Sequence, residues 1–267
     1  MKIINDDDYQ EFTKGIKYLT GIDLSLYKEA QMKRRITTLY EKQGFKGFGE
    51  YYHHLRKDAY MLNELLDRMT INVSNFFRNH KRWEFLKKVI LPELLSGRER
   101  LKIWSAACST GDEPYSLAMV LSSINALNRT SILATDIDQN VLEVCKRGIY
   151  SEKSLEEVPE NLKHTYFKYI DGNYHIDKKI KDSVTFKKHN LLADRYDRDF
   201  DLIICRNVLI YFTEEAKDTI YKQFSQSLRP GGVLFVGSTE QIFNPNRYDF
   251  VGTSTFFYEK KNTMRVK

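Results

Sequence analysis

A chain of 267 residues has the length to bury a substantial core, as one large domain or, as its change of rhythm favours, two smaller ones. Its composition, 42% hydrophobic and 29% charged, is globular, and no apolar run reaches the roughly 18–20 residues of a membrane-spanning helix. The 42 basic and 36 acidic residues leave a net charge of +6, too diffuse to identify a nucleic-acid binder. The opening residues Met1 to Asp8 carry no apolar signal core, and Cys108, Cys145 and Cys205 lie far apart without metal-ligand spacing. These features predict a soluble protein of a reducing cytoplasm, with no metal site and no disulfide framework.

Residues 6 to about 70 read as short helices, with Phe12, Ile16 and Leu19, then Leu26, Met32, Ile36 and Leu39, then Tyr60, Leu62, Leu65, Leu66 and Met69 keeping a helical stride. Breaks fall at Thr20-Gly21-Ile22-Asp23 and between Gly44 and Gly49. Between Lys28 and Lys46 the bases Lys28, Lys33, Arg34, Arg35, Lys42 and Lys46 face only Glu29 and Glu41, which is either a surface for an acidic partner or a solvated helix face. The polar and aromatic run Asn72 to Arg78 is either a functional loop or a pin between domains, made by Phe76 and Phe77. A connector helix follows from Asn79 to about Ser96, with Pro92 close enough to its end to bend or stop it.

Strands then alternate with helices. Strands are predicted at Leu101–Ala107, Ser131–Thr135, Val184–Lys187, Asp201–Cys205, Val233–Gly237 and Thr255–Glu259, and helices at Pro114–Ala126, Gln139–Arg147 and Thr213–Leu228. That alternation predicts a mostly parallel sheet covered on both faces. Between Gly148 and Ser183 the rhythm fails, and Lys168 to Ile176 reads as a hairpin turning at Asp171-Gly172-Asn173, hence a small insertion at about 150–183.

The segment Trp104 to Ala118 carries the sharpest chemistry: a buried strand, a tight turn of small residues with two carboxylates, and a helix start. A phosphate-cradling turn needs several glycines, and this one has Gly111 alone among Ala106, Ala107, Cys108, Ser109 and Thr110. Asp112 and Glu113 would repel a pyrophosphate and suit a cationic ligand, such as a sulfonium or an amine; equally, they favour the helix start before Pro114. Asp136, ending the second strand, is placed to accept both ribose hydroxyls of an adenosine cofactor, with Asp138 as a helix cap; the pattern also permits both to be caps. Arg206 and Asn207 interrupt an apolar run and belong at a strand's carboxyl end facing the ligand crevice, while Tyr211 reaches that crevice or packs in the core beside Phe212.

In order and spacing, Asn72-Val73-Ser74-Asn75-Phe76-Phe77-Arg78, Trp104 to Ala118, Thr135-Asp136-Ile137-Asp138 with Arg147-Gly148-Ile149-Tyr150, Asn190-Leu191-Leu192 and Cys205 to Phe212 resemble the CheR family. These are chemotaxis receptor glutamate O-methyltransferases that use S-adenosylmethionine. The resemblance runs from Tyr27-Lys28 to Gly237-Ser238-Thr239-Glu240. It implies an α/β fold: a Rossmann-like S-adenosylmethionine-dependent methyltransferase domain (98–267) with a small β-subdomain insertion, preceded by an all-α N-terminal receptor-recognition domain (1–72) and by a linker with the connector helix (73–97).

The same resemblance implies that Asn72, Ser74 and Arg78 close the cofactor site. Glu113 and Asp136 hold the methionine amine and the ribose, Asn190 and Leu191 bracket the adenine, and Ala106, Arg206, Asn207 and Val208 complete the pocket. Arg78 and Tyr211 face the methyl-transfer point, and Lys33, Arg34 and Arg35 meet an acidic receptor helix, with Arg35 foremost. Ser74 stands where many relatives have Thr, and Asp112 where a second Glu is common. The hairpin at Asp171-Gly172-Asn173 looks shorter than in relatives that dock a receptor's C-terminal pentapeptide, which points to recognition without that tether. The expected product is S-adenosylhomocysteine, and the expected protein is a cytoplasmic monomer acting on chemoreceptor methylation helices, without metal, nucleic acid or membrane insertion. The alternatives are a nucleic-acid methyltransferase and a non-catalytic cofactor-sensing scaffold. Against the first, Arg206-Asn207-Val208-Leu209 stands where base methylators place an Asn/Asp-Pro-Pro-aromatic turn or Pro-Cys.

Overall fold

The computed structural model describes residues 6–70, 72 and 74–262, and the chain divides into two units. The first comprises 1–72 with 192–194 and 210–220; the second comprises the remainder.

Four helices build the first unit: α1 (Asp6–Thr20), α2 (Glu29–Lys42), α3 (Phe48–Leu55) and α4 (Ala59–Met69). Each buries one stripe at three- and four-residue spacing: Tyr9, Phe12 and Ile16 on α1, Met32, Ile36, Leu39 and Tyr40 on α2, Phe48, Tyr51 and Leu55 on α3, Leu65 and Met69 on α4. Phe48 is the hub, its ring 5.0–5.1 Å from those of Tyr9, Phe12 and Tyr40. The Asp58 side chain caps α4 by accepting from the backbone N–H groups of Tyr60 and Met61. The segment 210–220 joins this unit through backbone bonds from Lys28 N to Tyr211 O (2.8 Å) and from Thr213 N to Leu26 O (3.0 Å), and Tyr27 packs edge-on to Phe212 at 4.9 Å.

The second unit begins with the connector helix, α5 (His80–Phe85) and α6 (Leu91–Leu95) joined by a π-helical turn at Leu86–Ile90. The expected stripe Trp83, Leu86, Ile90 and Leu94 is buried. Pro92 lacks a backbone N–H, and the irregularity it imposes is taken up by the π turn just before it.

A seven-stranded sheet follows, built from β1 (Leu101–Ala106), β2 (Thr130–Asp136), β6 (Val184–Lys188), β7 (Phe200–Cys205), β8 (Leu228–Val236), β9 (Phe250–Ser254) and β10 (Phe257–Lys260). Its order is β6-β2-β1-β7-β8-β10-β9, with β10 antiparallel to both neighbours and the other pairs parallel. All six residues of β7 are buried, as a central strand covered on both faces requires. The helices α7 (Asp112–Ser123), α8 (Gln139–Arg147) and α11 (Glu214–Ser227) follow β1, β2 and β7. Because the chain winds outward through β2 to β6 and then returns to lay β7 against the other side of β1, the topological switch point lies between the carboxyl ends of β1 and β7.

The irregular region carries a separate three-stranded sheet, β3 (Ile149–Tyr150), β4 (Phe167–Ile170) and β5 (Asn173–Ile176), in the order β3-β5-β4, with the short helices α9 (Glu160–Tyr166) and α10 (Lys178–Asp182). Asp171 and Gly172, both at positive φ, form the two-residue hairpin turn. Two expectations are corrected. The strand read at Thr255–Glu259 is half of a hairpin, β9 and β10, turning at Thr255-Phe256, where Phe256 has φ 73°. The helix predicted to Leu228 stops at Ser227 and the strand predicted from Val233 begins at Leu228, so Arg229-Pro230-Gly231-Gly232 lies inside β8, where the pairing with β7 shifts register; a β-carbon on Gly232 would meet the carbonyl oxygens of Arg229 and Phe200 at 2.9 Å.

Candidate cofactor site

The turn leaving β1 is built from left-handed residues: Ala107 (φ 61°), Ser109 (φ 50°) and Gly111 (φ 92°). Backbone N–H groups hold it from one side, Cys108 donating to Thr135 O and Ser109 to Asp136 Oδ2, each at 2.8 Å. Tyr150 Oη donates to Thr110 O at 2.9 Å. At Gly111 a β-carbon would stand 3.0 Å from both Cys145 Sγ and Tyr150 Oη, so glycine is required here by space as well as by φ.

α7 opens at Asp112, two residues before the expected Pro114, which puts both carboxylates in its first turn. Asp112 is 1% exposed; Thr110 Oγ1 donates to its Oδ2 at 2.5 Å, its Oδ1 has no hydrogen-bond partner among the described residues, and burial raises its pKa against the opposing pull of the Thr110 hydroxyl. Glu113 accepts from Ser105 Oγ at 2.8 Å and faces Arg206 Nη1 at 3.6 Å, with 12% of its side chain exposed. Burial pushes its pKa up to about 7; Arg206 and Ser105 oppose the rise and the nearby Glu240 adds to it. Asp136 spends one oxygen on Ser109 N–H and the other on Asp138 N–H at 3.0 Å, while Asp138 caps α8 through Asn140 N at 2.8 Å. Burial raises the Asp136 pKa, and these backbone bonds hold the rise in check. Only Asp138, then, is a cap; Asp136 stitches the β1 turn to the end of β2, and its carboxylate keeps lone pairs for further donors.

Arg206, at the end of β7, is a buried hub. Its guanidinium lies 4.8 Å from the Phe235 ring and 5.7 Å from that of Trp83, and Nη2 donates to Arg78 O at 2.8 Å and to Asn79 Oδ1 at 3.2 Å. The loop it grips is strained, with Phe77 at φ 54° and Asn79 at φ 64°. Phe77 N–H donates to Ser116 Oγ (2.9 Å) and Asn79 N–H to Glu157 Oε2 (3.1 Å). Asn190 and Leu191 follow β6; Leu191 is buried, its carbonyl accepting from Tyr196 Oη at 2.7 Å, and the adjacent His189 N–H donates to Asp136 O at 2.9 Å.

Ser74, Arg78, Ala106, Glu113, Asp136, Asn190, Leu191, Arg206, Asn207 and Val208 thus all lie in the second unit. Asn72 and Tyr211 lie in the first: Asn72 Nδ2 donates to Thr70 Oγ1 at 3.1 Å, and the Tyr211 ring sits 5.4 Å beneath the Arg35 guanidinium. Arg35 is half-buried and donates to Met69 O, Lys33 places its ammonium 5.4 Å over the Tyr9 ring, and Arg34 is exposed. Sequence reasoning missed Ser105, Ser116 and Glu240. The first two are small hydroxyls inside apolar runs, which carry no signal of their own. Glu240 had one, an acid just past a strand end, as Asp136 ends β2.

S-adenosylmethionine is the group the family resemblance implies, and the site fits it. Ser109 Oγ in the β1 turn, Asp112 Oδ1 at the start of α7 and Arg206 Nε just past β7 are buried without a hydrogen-bond partner among the described residues, a polar demand at the strand ends. Acids rather than glycines and bases line this turn, a donor set matched to a cationic, hydroxyl-bearing ligand.

A family model described as the SAM binding domain of CheR methyltransferase matches residues 72–257, and one described as the CheR methyltransferase all-alpha domain matches residues 7–70. The chain is 48% identical over 256 residues to a chemotaxis protein methyltransferase of Listeria monocytogenes, covering 96% of this chain and 98% of that protein. It is 45% identical to the Listeria innocua protein of the same name, at the same coverage. With the chemotaxis protein methyltransferase of Borreliella burgdorferi it shares 35% identity, over 97% of this chain and 95% of the relative.

Proposed function

Because the chain belongs to the CheR methyltransferase family, we propose that it transfers the methyl group of S-adenosylmethionine to glutamate side-chain carboxylates of chemotaxis receptors, as a step in sensory adaptation. The products are glutamate methyl esters and S-adenosylhomocysteine. The observation that carries the reading is the pair of buried acids, Glu113 beside β1 and Asp136 at the end of β2, with Arg206 at the end of β7 between the former and the linker loop.

S-adenosylmethionine, when bound, supplies an electrophilic methyl group on a sulfonium sulfur. Glu113 would hold its amine, Asp136 the ribose hydroxyls, and Asn190 and Leu191 the adenine, with Ser74, Ala106, Arg206, Asn207 and Val208 completing the pocket. A glutamate of ordinary pKa, about 4.3, is already a carboxylate at neutral pH, so no residue has to remove a proton from it. The chain's work is to exclude water and hold the carboxylate in line, roughly 3–3.5 Å from the carbon it attacks. Arg78 does the orienting, and divides its contacts between cofactor and substrate so that the carboxylate keeps its nucleophilicity. The nucleophile is ionised and the leaving group is a neutral thioether, so the reaction requires no metal.

The protein works as a cytoplasmic monomer on receptor methylation helices, which it meets through Lys33, Arg34 and Arg35; nucleic acid is not its substrate. The two-residue turn at Asp171-Gly172 and the four-residue strands it joins support recognition without a receptor C-terminal pentapeptide. The test is to incubate the protein with methyl-labelled S-adenosylmethionine and membranes bearing chemoreceptors, then to treat with base. Carboxyl methyl esters release volatile labelled methanol; label that enters nucleic acid and survives the base step defeats the reading. Arg78→Ala should lower both methyl transfer and the affinity for S-adenosylhomocysteine, and an inactive variant of unchanged affinity would contradict the shared role of Arg78.

A further inference from the structure

We propose that Glu240 is a positioning residue for the cofactor, its carboxylate setting the backbone of residues 206–209 at the switch point; this rests on the methyltransferase reading and deepens it. Where β7 ends, the chain leaves the sheet through Asn207, a non-glycine residue at φ 62°. Backbone N–H groups past a strand end have lost their ladder partners, and buried ones must find others. Glu240 provides them. Its Oε2 accepts from Asn207 N at 2.7 Å and from Gly237 N at 2.8 Å, and its Oε1 accepts from Leu209 N at 2.7 Å.

The residue type follows from that geometry. Glu240 is 4% exposed, and burying a carboxylate is costly unless donors surround it, as three charge-assisted bonds do here. Only a carboxylate presents two acceptor oxygens and no donor, so a glutamine would turn an N–H toward at least one of the three amides. Gly237 belongs to the same device. A β-carbon there would lie 2.3 Å from Glu240 Oε2 and 2.9 Å from Asn207 N, so the close approach of carboxylate to turn demands glycine for space alone. Glu240 also places a second negative charge near Arg206, whose guanidinium meets Glu113 at 3.6 Å and anchors the linker loop through Arg78 O. The carboxylate thereby fixes the backbone on either side of Val208, at Asn207 and Leu209, and adds its charge to the field around Arg206; Arg206, Asn207 and Val208 are the three residues read as the β7 wall of the pocket.

Two variants test this. Glu240→Gln removes the charge and one acceptor, whereas Gly237→Ala keeps the charge and displaces the carboxylate. Each should speed amide hydrogen exchange at Asn207 and Leu209 in the protein alone. Each should weaken S-adenosylhomocysteine binding in calorimetry by about tenfold or more, the scale of a lost charge-assisted hydrogen bond, and raise KM for S-adenosylmethionine while kcat at saturation stays within about threefold. Should Glu240→Gln fail to fold, Gly237→Ala decides. A folded variant that binds S-adenosylhomocysteine within about twofold of the wild type overturns the proposal. A wild-type chain that binds none of it overturns the cofactor reading as well, so the two failures are distinguishable.

Discussion

At the scale of single residues, Glu113 is an acid held near neutrality at the opening of α7, where the proposed function puts the ammonium of the cofactor. Its pKa of about 7 against an ordinary 4.5 means that between these values the folded chain keeps a proton that the unfolded chain has released. The stability this residue contributes before the cofactor binds is therefore full below about pH 4.5 and is lost as the pH rises toward 7. Cofactor binding runs the other way, because an ammonium beside Glu113 favours the carboxylate. Affinity for S-adenosylhomocysteine should fall as the pH drops below 7, with a limiting slope of about tenfold per pH unit. Calorimetry at pH 6 in buffers of different ionisation heat should detect close to one proton released per ligand bound. Glu113→Gln should bind weakly and lose this dependence; an unchanged pH profile in that variant would remove Glu113 from the amine site.

Among the elements, the linker loop from Phe76 to Asn79 does the most with the least sequence. Two left-handed non-glycine residues cost on the order of 1–3 kcal/mol each, and the loop keeps them because Ser116, Glu157 and Arg206 take up its polar backbone atoms. Ser116 is fully buried, accepts from Phe77 N–H at 2.9 Å and donates to Asp112 O at 2.6 Å. Ser116→Ala leaves a buried N–H without a partner and should cost about 1–3 kcal/mol in urea unfolding, with S-adenosylhomocysteine affinity falling as well. A shift below about 0.5 kcal/mol would show that the loop satisfies Phe77 in another way. The strands, α8 and the Asp171-Gly172 turn were legible in the sequence because period, caps and turn chemistry are local. The π turn, the β9–β10 hairpin and the passage of Pro230 through β8 were not, because in each case tertiary pairing overrides the local signal. The candidate site divides on the same line: Asp136 and Arg206 are conspicuous polar residues at strand ends and Glu113 at a helix start, whereas Ser116 and Glu240 are placed by partners distant in sequence and Ser105 by Glu113 on the next element.

For the whole molecule, the net charge of +6 becomes functional only where cations are free to meet an acidic partner. Of the three bases assigned to receptor recognition, Arg35 is half-buried and donates to Met69 O, and Lys33 lies over the Tyr9 ring, so the solvent-facing charge is that of Arg34. Arg34 and Arg35 therefore separate two effects within one helix. Arg34→Glu should lower kcat/KM toward receptor membranes several-fold, with S-adenosylhomocysteine affinity and thermal stability unchanged, because a surface charge acts mainly on the encounter rate. Arg35→Ala should lower stability as well, since it strips a half-buried carbonyl of its donor and uncovers the Tyr211 ring. Raising the salt from about 0.01 M to about 0.15 M shortens the Debye length from about 30 Å to about 8 Å, which should slow the wild type and spare Arg34→Glu. Parallel salt dependence in the two proteins would place the receptor on another face. The +6 would then be the charge of a solvated surface, and the helical unit would have to recognise receptors by shape.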